Sequence, residues 1–406
     1  MPQHVQPPPP PVQPSPPLGS PAAPSSPGPS PSGPAPLPRR IVFLARRDLG
    51  NPAAGGSELL VDRIADGLSA HGHEVTLVCG GPAPGLSAPP EQGGTPVERS
   101  YRVVSAGGDA GHFLRAPRRL ARRADDCDLL VEVCNGMPYL APLWHRGPTL
   151  CLVNHVHTDL WGMRYPGPAA RLGRRLEHWA LAGAHRRNLL VAVSGSTASA
   201  LRALGVERDR IRLVHNGVEE PGPLAPKDPE PLFLAMGRLV EYKRIDLLLR
   251  LWERVRPVTG GRLVIVGDGP ERARLAAAAG PDVTFTGRIS EQRKHQLLCS
   301  AWLLLHPSVV EGWGLVVMEA AARRTPTVGF DIPGLRDSVE DGVTGLLARG
   351  ESAFAAHWCT LALSARRRDA LGLAAEQRAA RFRWSHTVAD FRAVAAEAFL
   401  TALPGR

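Results

Sequence analysis

The stretch from His306 to Phe330 reads HPSVVEGWGLVVMEAAARRTPTVGF, and its reading decides the fold. The apolar run Ala301–Leu305 just ahead of it predicts a buried strand. Gly312-Trp313-Gly314 predicts a turn, and the Ala-rich segment Val316–Arg323 predicts a helix. Glu311 then falls at the C-terminal end of a strand, and Glu319 one to two turns into the next helix. Open α/β sheets take their ligands in that crevice. An ionised carboxylate only accepts hydrogen bonds, so a pair of them there suits a hydroxyl-rich ligand such as a sugar.

The same alternation runs outward in both directions. Strands are predicted at Pro231–Met236, Leu263–Val266, Val283–Thr286, Trp302–Leu305 and Thr327–Gly329, and a helix at Ile245–Val255 with Ile245, Leu248, Leu249 and Trp252 on one side. The end, Ala374–Leu403, is helical in pattern and has no strand signal. Nearer the start, Arg40–Ala45 predicts a strand, Asn51–Glu58 a glycine loop, and Leu60, Ile64 and Leu68 an amphipathic helix that stops at Gly72. Glu74–Cys79 is the next strand, which completes a βαβ signature. Further strands are predicted at Leu129–Val133, Thr149–Val153 and Leu189–Val193. Between the two series, residues 220–229 are Pro-rich and read as a linker. Two α/β halves joined by a linker predict a ligand cleft between domains.

The chain has 406 residues, a length for two domains rather than one. No run of 18 apolar residues occurs, so no transmembrane helix is expected. The first 40 residues hold 17 of the 41 prolines, with neither the charged start nor the apolar centre of a signal peptide. They read as a disordered, polyproline-prone tail. The six cysteines form no CxxC pair, and several lie in apolar runs, which fits buried thiols in a reducing cytoplasm. The net charge of +10 is almost wholly arginine, since only Lys227, Lys243 and Lys294 are lysines. No zinc-finger spacing, aromatic RNA motif or helix-turn-helix accompanies it, so nucleic acid is not expected as a partner.

Gly237-Arg238-Leu-Val-Glu-Tyr-Lys243 directly follows a predicted strand. Two cations five residues apart at a strand end can neutralise a diphosphate and stabilise it as a leaving group. The bland reading is a solvated pair of charges, and the rarity of lysine argues against it. Gly55-Gly56-Ser57 opens a helix, where free N–H groups and the helix dipole attract anions. The alternative is a plain cap with Ser57 as N-cap. Gly267-Asp268-Gly269-Pro270 after LVIV is an incomplete dinucleotide fingerprint. His155 and His157 end a strand as an HxH pair that invites zinc, but no third ligand follows by motif. Asp126-Cys127-Asp128 is formally a DxD metal–nucleotide motif, yet acids at a helix-to-strand turn are usually solvated. Arg115, Arg118, Arg119, Arg122 and Arg123 cluster around Phe113, Leu114 and Leu120, a pattern for a basic amphipathic helix on an anionic membrane or for a solvated face. Arg171, Arg174 and Arg175 carry the same two readings. The loops Gly80–Arg99 and Trp161–Pro168 carry no decodable signal.

Together these motifs resemble the retaining glycosyltransferases of family four, which have the GT-B fold. The resemblance rests on HPSVVEGWGLVVMEAAARRTPTVGFDIPGLRDSVEDGVTGLL from His306, and on GGSE from Gly55. VSGSTASALRALGVERDRIRLVHNGVE from Val193, GRLVEYKRID from Gly237, VGDGPERARL from Val266 and VTFTGRIS from Val283 agree in order. It covers roughly residues 40–395. It implies two Rossmann-like domains facing a central cleft: a Pro-rich tail over 1–39, an acceptor domain over 40–219, a nucleotide-sugar donor domain over 220–385, and a C-terminal helix over 386–406 packing back on the first domain. It implies transfer of a hexose from a UDP- or GDP-linked sugar, with retention and without metal or other cofactor, to an acceptor it does not name. Arg238 and Lys243 are expected to grip the diphosphate, Glu311 the sugar hydroxyls and Glu319 the ribose. The backbone of Gly237, Gly312, Trp313, Gly314 and Leu315 is expected at the donor, Arg288 and Ile289 beside the base, and Gly55 and Gly56 beside the phosphate or acceptor. The family's cleft histidine maps to His155 or His157, and the choice stays open. Trp313 stands where a Phe is common. A cytoplasmic enzyme, with the Arg-rich helix as a peripheral contact to an anionic inner membrane face, completes the expectation. The competing readings are a glycosidase, whose two carboxylates would flank the scissile bond, and a nucleotide-sugar binder without acceptor chemistry.

Overall fold

Strands that are buried on both faces read as continuous apolar runs rather than alternating ones. In the computed structural model, RIVFLA and LLVEVC are such strands, with LLVEVC buried at every position. The structure describes residues 37–81, 99–108, 111–121, 127–165 and 167–402. Residues 1–36 of the Pro-rich tail, 82–98 of the first uninformative loop, Arg122, Arg123, Asp126 and Pro166 lie outside the described residues.

The first sheet has seven parallel strands in the order β3-β2-β1-β4-β5-β6-β7. They are β1 (Arg40–Ala45), β2 (Glu74–Cys79), β3 (Arg102–Ser105), β4 (Leu129–Cys134), β5 (Thr149–Val153), β6 (Leu189–Ala192) and β7 (Ile211–Leu213). Its helices are α1 (Gly56–Ala70), α2 (His112–Ala121), α3 (Thr158–Arg164), α4 (Gly167–His178) and α5 (Gly195–Ala203). The second sheet has six parallel strands in the order β10-β9-β8-β11-β12-β13. These are β8 (Leu232–Met236), β9 (Arg262–Val266), β10 (Val283–Gly287), β11 (Leu303–His306), β12 (Thr327–Phe330) and β13 (Gly345–Ala348). The helices of this lobe are α6 (Ile245–Thr259), α7 (Arg272–Ala277), α8 (Glu291–Ser300), α9 (Leu315–Ala321), α10 (Pro333–Ser338), α11 (Glu351–Ala362) and α12 (Ala365–Ala379).

The last helix, α13 (Trp384–Thr401), lies on the first lobe against α1, β4 and β5. Phe391 stacks on Phe43 of β1 at 5.8 Å, and a Cβ on Gly67 of α1 would meet Val388 at 2.4 Å, so the two helices touch where Gly67 leaves room. In the second lobe, Trp252, Trp358 and Phe233 form the centre of the core, with the two indoles stacked at 5.6 Å. Among the described residues no helix is long and apolar enough to cross a membrane.

Strand order reverses between β1 and β4 in one sheet and between β8 and β11 in the other. Those are the positions where open α/β sheets present a ligand crevice at the strands' C-terminal ends. The reading from sequence did not name β3, β7 or β13, each of which is only three or four residues long. It also placed the strand before Glu311 too early. Ala301 caps α8, and Trp302 donates its indole N–H to the carbonyl of Asp228 (2.7 Å), so the strand begins at Leu303 and runs on to His306. Trp161–Arg164, read as loop, belongs to α3.

Candidate active site

The chain leaves β8 through Gly237, whose N–H donates to the carbonyl of Val266 (3.0 Å), while Gly267 donates to the carbonyl of Gly287 (2.9 Å). A Cβ on Gly267, which sits at φ +128°, would fall 1.9 Å from the carbonyl oxygen of Gly237, so only glycine lets the ends of β8 and β9 pack this closely. This turn puts Arg238 at the surface of the cleft, where its guanidinium donates to the Tyr242 hydroxyl (2.7 Å). Lys243 closes the following short 3-10 turn. Its Nζ donates to Oε2 of Glu311 (2.5 Å), and the same oxygen takes a hydrogen bond from His306 Nε2 (2.9 Å). Burial alone would raise the Glu311 carboxyl, but the Lys243 charge and the His306 hydrogen bond outweigh it and hold the group well below the usual carboxylate range. Burial pushes His306 the other way, toward its neutral form.

Glu319 lies on α9 and has its own lysine. Lys294 Nζ, from α8, donates to Glu319 Oε1 at 2.9 Å and lies 2.8 Å from Glu291. Burial would lower Lys294, but the charges of Glu319 and Glu291 raise it instead, so the ammonium is held charged. Arg288 is exposed at the end of β10, and Ile289 packs beside it against the lower core of the lobe. Gly314, at φ +85°, is the N-cap of α9, and Leu315 starts that helix. A Cβ on Gly312 would lie 2.4 Å from the carbonyl oxygen of Asn154, which shows how tightly this loop meets the end of β5. Trp313 differs from the rest. Its ring is 2% exposed and packs on His215 (4.8 Å) and Phe382 (5.0 Å), so it is an aromatic wedge of the core more than a surface for a ligand.

Across the cleft, α1 points its N-terminus at the second lobe. A Cβ on Gly55 would come within 3.8 Å of Arg238, and one on Gly56 within 2.8 Å of Leu315. The N-cap is Gly55, not Ser57; the Glu58 carboxylate accepts from the Gly55 N–H at 2.8 Å. Ser57 sits inside the helix, where its Oγ accepts from the side-chain amides of Asn135 (2.5 Å) and Asn154 (3.2 Å), the residues that follow β4 and β5.

His155 and His157 stack at 4.0 Å, and both line the cleft. His155 is half-buried beside Gly312, with its Nε2 shielded and taking no hydrogen bond among the described residues. Burial, reinforced by His157, pushes its pKa well down. His157 is also half-buried and faces Gly136. Its backbone N–H donates to Glu177 (2.8 Å), which also takes the Trp161 indole N–H (3.0 Å) and lies 3.6 Å from His157 Nδ1. Among the described residues no third His, Cys, Asp or Glu joins the two rings in a group that could hold a metal ion. Of the DxD acids, Asp128 is engaged by the backbone N–H groups of Arg39 and Arg40 and by the Arg40 guanidinium. On α2, Arg115, Arg118 and Arg119 are exposed while Phe113 and Leu120 pack inward; Leu114, expected among the apolar partners, faces out. On α4, Arg171 and Arg175 are exposed, and Arg174 donates to the carbonyl of Thr158 (2.8 Å).

The result is one cleft of about 2300 Å³ lined by both lobes, with His155, His157 and every residue expected at the donor on its wall, while Asp128 and the arginines of α4 are not part of it. Sequence reasoning missed Asn135, Asn154, Glu177, Lys294 and His306. His306 opens the motif that started the reading, and a third scarce lysine at 294 was a usable signal; the pairing of Glu177 with His157 leaves no trace in local spacing.

Two Rossmann-like lobes that turn their switch points toward one charged cleft define the GT-B class of fold. Solved structures agree. The Anabaena protein HepE in complex with UDP and glucose matches with a TM-score of 0.68 at 19% identity, over 87% of this chain and 98% of that one. Sucrose-phosphate synthase from Thermosynechococcus elongatus matches with a TM-score of 0.70 at 22% identity, over 87% and 97%. Two family models divide most of the chain between them: Glycosyltransferase Family 4 over residues 54–220 and Glycosyl transferases group 1 over residues 230–363. The chain belongs to family four of the glycosyltransferases. D-inositol 3-phosphate glycosyltransferase of Nocardia farcinica is 35% identical over 279 residues. That alignment takes in 61% of this chain and 59% of the relative, so the chain spans less than two thirds of that protein's length.

Proposed function

We propose that this protein transfers a hexose from a nucleoside-diphosphate sugar, UDP- or GDP-linked, to an acceptor hydroxyl with retention at the anomeric carbon and without a metal ion. The observation that carries the reading is the approach of Arg238 to the N-terminus of α1, with Lys243 on the wall of the same cleft. Two fixed cations and free helix N–H groups are what a departing diphosphate needs. The Anabaena relative in fold is known with UDP and glucose, which favours a uridine donor.

In this reading Glu311 is not an acid or a nucleophile. Held ionised by Lys243 and His306, it accepts hydrogen bonds from sugar hydroxyls and orients the donor. Glu319 takes the ribose hydroxyls, and Arg288 and Ile289 border the base. The bond from the anomeric carbon to the diphosphate oxygen breaks, and a bond to the acceptor oxygen forms on the same face. The acceptor's proton goes to the leaving diphosphate. A covalent double displacement needs a free carboxylate on the first lobe. The carboxylates that line the cleft there are engaged: Glu58 with Gly55, Asp62 with Tyr101, Glu219 with Arg63. The same engagement argues against a glycosidase. In this reading His157, whose backbone N–H is held by Glu177, meets the acceptor, and His155 stacks on it. The exposed arginines of α2 suit a peripheral contact with an anionic cytoplasmic membrane face.

The test is incubation with UDP- and GDP-linked sugars in EDTA, with NMR of any transferred or hydrolysed sugar. Release of nucleoside diphosphate and an α-configured product from an α-linked donor support the reading. An inverted product, or turnover only with added metal, sinks it.

A further inference from the structure

The two walls of the cleft differ in kind. The second lobe presents Arg238, Lys243, Lys294, Glu311 and Glu319. The first lobe presents large apolar side chains: Leu114 (65% exposed), Met137 (41%), Leu143 (59%) and Met163 (49%). No exposed large apolar side chain on the cleft wall comes from the second lobe among the described residues. Trp144 and Trp161 join this wall, and their indole N–H groups are already spent on the carbonyl of Tyr139 (3.0 Å) and on Glu177 (3.0 Å). What the rings offer to the cleft is therefore apolar surface. These residues follow β4 or β5 or lie on α2, so all stand at the C-terminal edge of the first sheet, on either side of His157. A cluster of exposed apolar side chains at a functional cleft marks a binding surface, and methionines make such a surface adaptable.

We propose that the acceptor is an amphiphile: a hydroxyl-bearing head held at His157, joined to an alkyl or aryl body that lies on the wall of Leu114, Met137, Leu143, Trp144, Trp161 and Met163. The proposal rests on the glycosyl-transfer reading, which requires a second substrate on this side of the cleft. A polyol phosphate would leave the apolar wall wet, so this acceptor differs from the one that the name of the Nocardia relative prints.

The test uses a matched pair of probes on the full chain, n-octyl and methyl β-D-glucopyranoside, with the octyl compound below its micelle concentration. Titration by tryptophan fluorescence and calorimetry, with UDP present, should give about tenfold or tighter binding of the octyl compound, the scale set by burying a few methylenes. Leu143→Asp and Met163→Asp, both at exposed positions, should each remove that advantage while leaving UDP affinity unchanged. Equal binding of the two glucosides overturns the proposal. So does octyl binding that survives both substitutions, or tighter binding of myo-inositol 1-phosphate than of the octyl glucoside. Binding to phosphatidylglycerol vesicles that depends on Leu143, with no binding of the monomeric octyl glucoside, also overturns it, in favour of a bilayer contact. UDP titration of the same samples reports on the donor reading separately: absence of UDP binding sinks that reading whatever the glucosides do.

Discussion

Lys243 and Glu311 form a half-buried contact, Nζ to Oε2 at 2.5 Å, that ties the turn after β8 to the loop after β11. The two residues are 68 positions apart, and the strands they follow are the pair at which the second sheet changes direction. An ammonium has three donors, so a lysine pinned by one carboxylate keeps N–H groups for a phosphate while its position is fixed. The first prediction concerns the other end of the contact. Glu311→Gln should lower kcat/KM for transfer about 100-fold or more, because it loses charge-assisted hydrogen bonds to the donor sugar. Affinity for UDP alone, which has no sugar, should stay within about threefold of wild type. A parallel loss of UDP affinity in calorimetry would show that Glu311 addresses the diphosphate instead.

Lys294 and Glu319, 2.9 Å apart, repeat the arrangement at the proposed ribose end. Lys294→Met leaves Glu319 without its main brace and should weaken UDP binding about tenfold, the worth of a charge-assisted hydrogen bond. Binding of 2′,3′-dideoxy-UDP, which offers Glu319 no hydroxyl, should be nearly unchanged by the substitution. If both ligands weaken equally, Lys294 supports the fold of the pocket and not the reading of ribose.

His155 gives a pH signature. His155 is held far toward its neutral form by burial, while in the unfolded chain it titrates near its ordinary value of 6.5. Below that pH the unfolded chain binds a proton that the folded chain refuses, so stability must fall as the pH drops. Between pH 7.5 and 5.5 Glu311 is ionised in both states and contributes no slope, since its unfolded value is 4.5 and its folded value lies lower. His155→Gln should therefore reduce the loss of stability over this window by about 1 kcal/mol. An unchanged slope in urea titrations would place the pH dependence elsewhere, with His306, which shifts the same way, as the next residue to replace.

A buried pair shapes the first lobe's wall of the cleft. Glu132, fully buried on β4, accepts from the backbone N–H groups of Tyr139 (2.7 Å), Leu140 (3.1 Å) and Ala141 (2.8 Å) and pairs with His185 (3.1 Å). It folds the chain after β4 back on itself and so sets the positions of Gly136 and Met137 in the cleft. Glu132→Ala strands all four partners and should cost about 3–5 kcal/mol in chemical denaturation. A cost below about 1 kcal/mol would mean that water replaces the carboxylate.

Much of this was legible in the sequence where order along the chain carries the information. RIVFLA, the glycine loop and EVTLVC specified β1–α1–β2 because each element is strongly periodic and its ends are marked by Gly55 and Gly72. Glu311, Glu319, Arg238 and Lys243 stood out because they cluster after predicted strands. The strands β3, β7 and β13 were not named: β3 and β7 are partly exposed edge strands without a continuous apolar run, and GLLA of β13 is too short to stand out beside its glycine-rich approach. Glu177 was not legible either, because its contact with His157 is fixed by helix packing and has no local signature; Lys294, as a scarce lysine, and His306, at the head of the motif, left signals whose partners the order along the chain does not give. For Trp313 the sequence shows an aromatic between two glycines but not its partners, since His215 and Phe382, which its ring packs on, lie far from it in the chain.

The central claim is that Arg238 and Lys243 hold the diphosphate without a metal. Calorimetric titration of UDP and GDP into the protein in EDTA, repeated with Arg238→Ala and Lys243→Ala, tests it directly. The account predicts that one nucleotide binds the wild type in EDTA and that each substitution weakens it by about 10- to 100-fold, the loss of a hydrogen-bonded charge contact. Binding that requires added divalent metal, or that is undiminished in both variants, would contradict it.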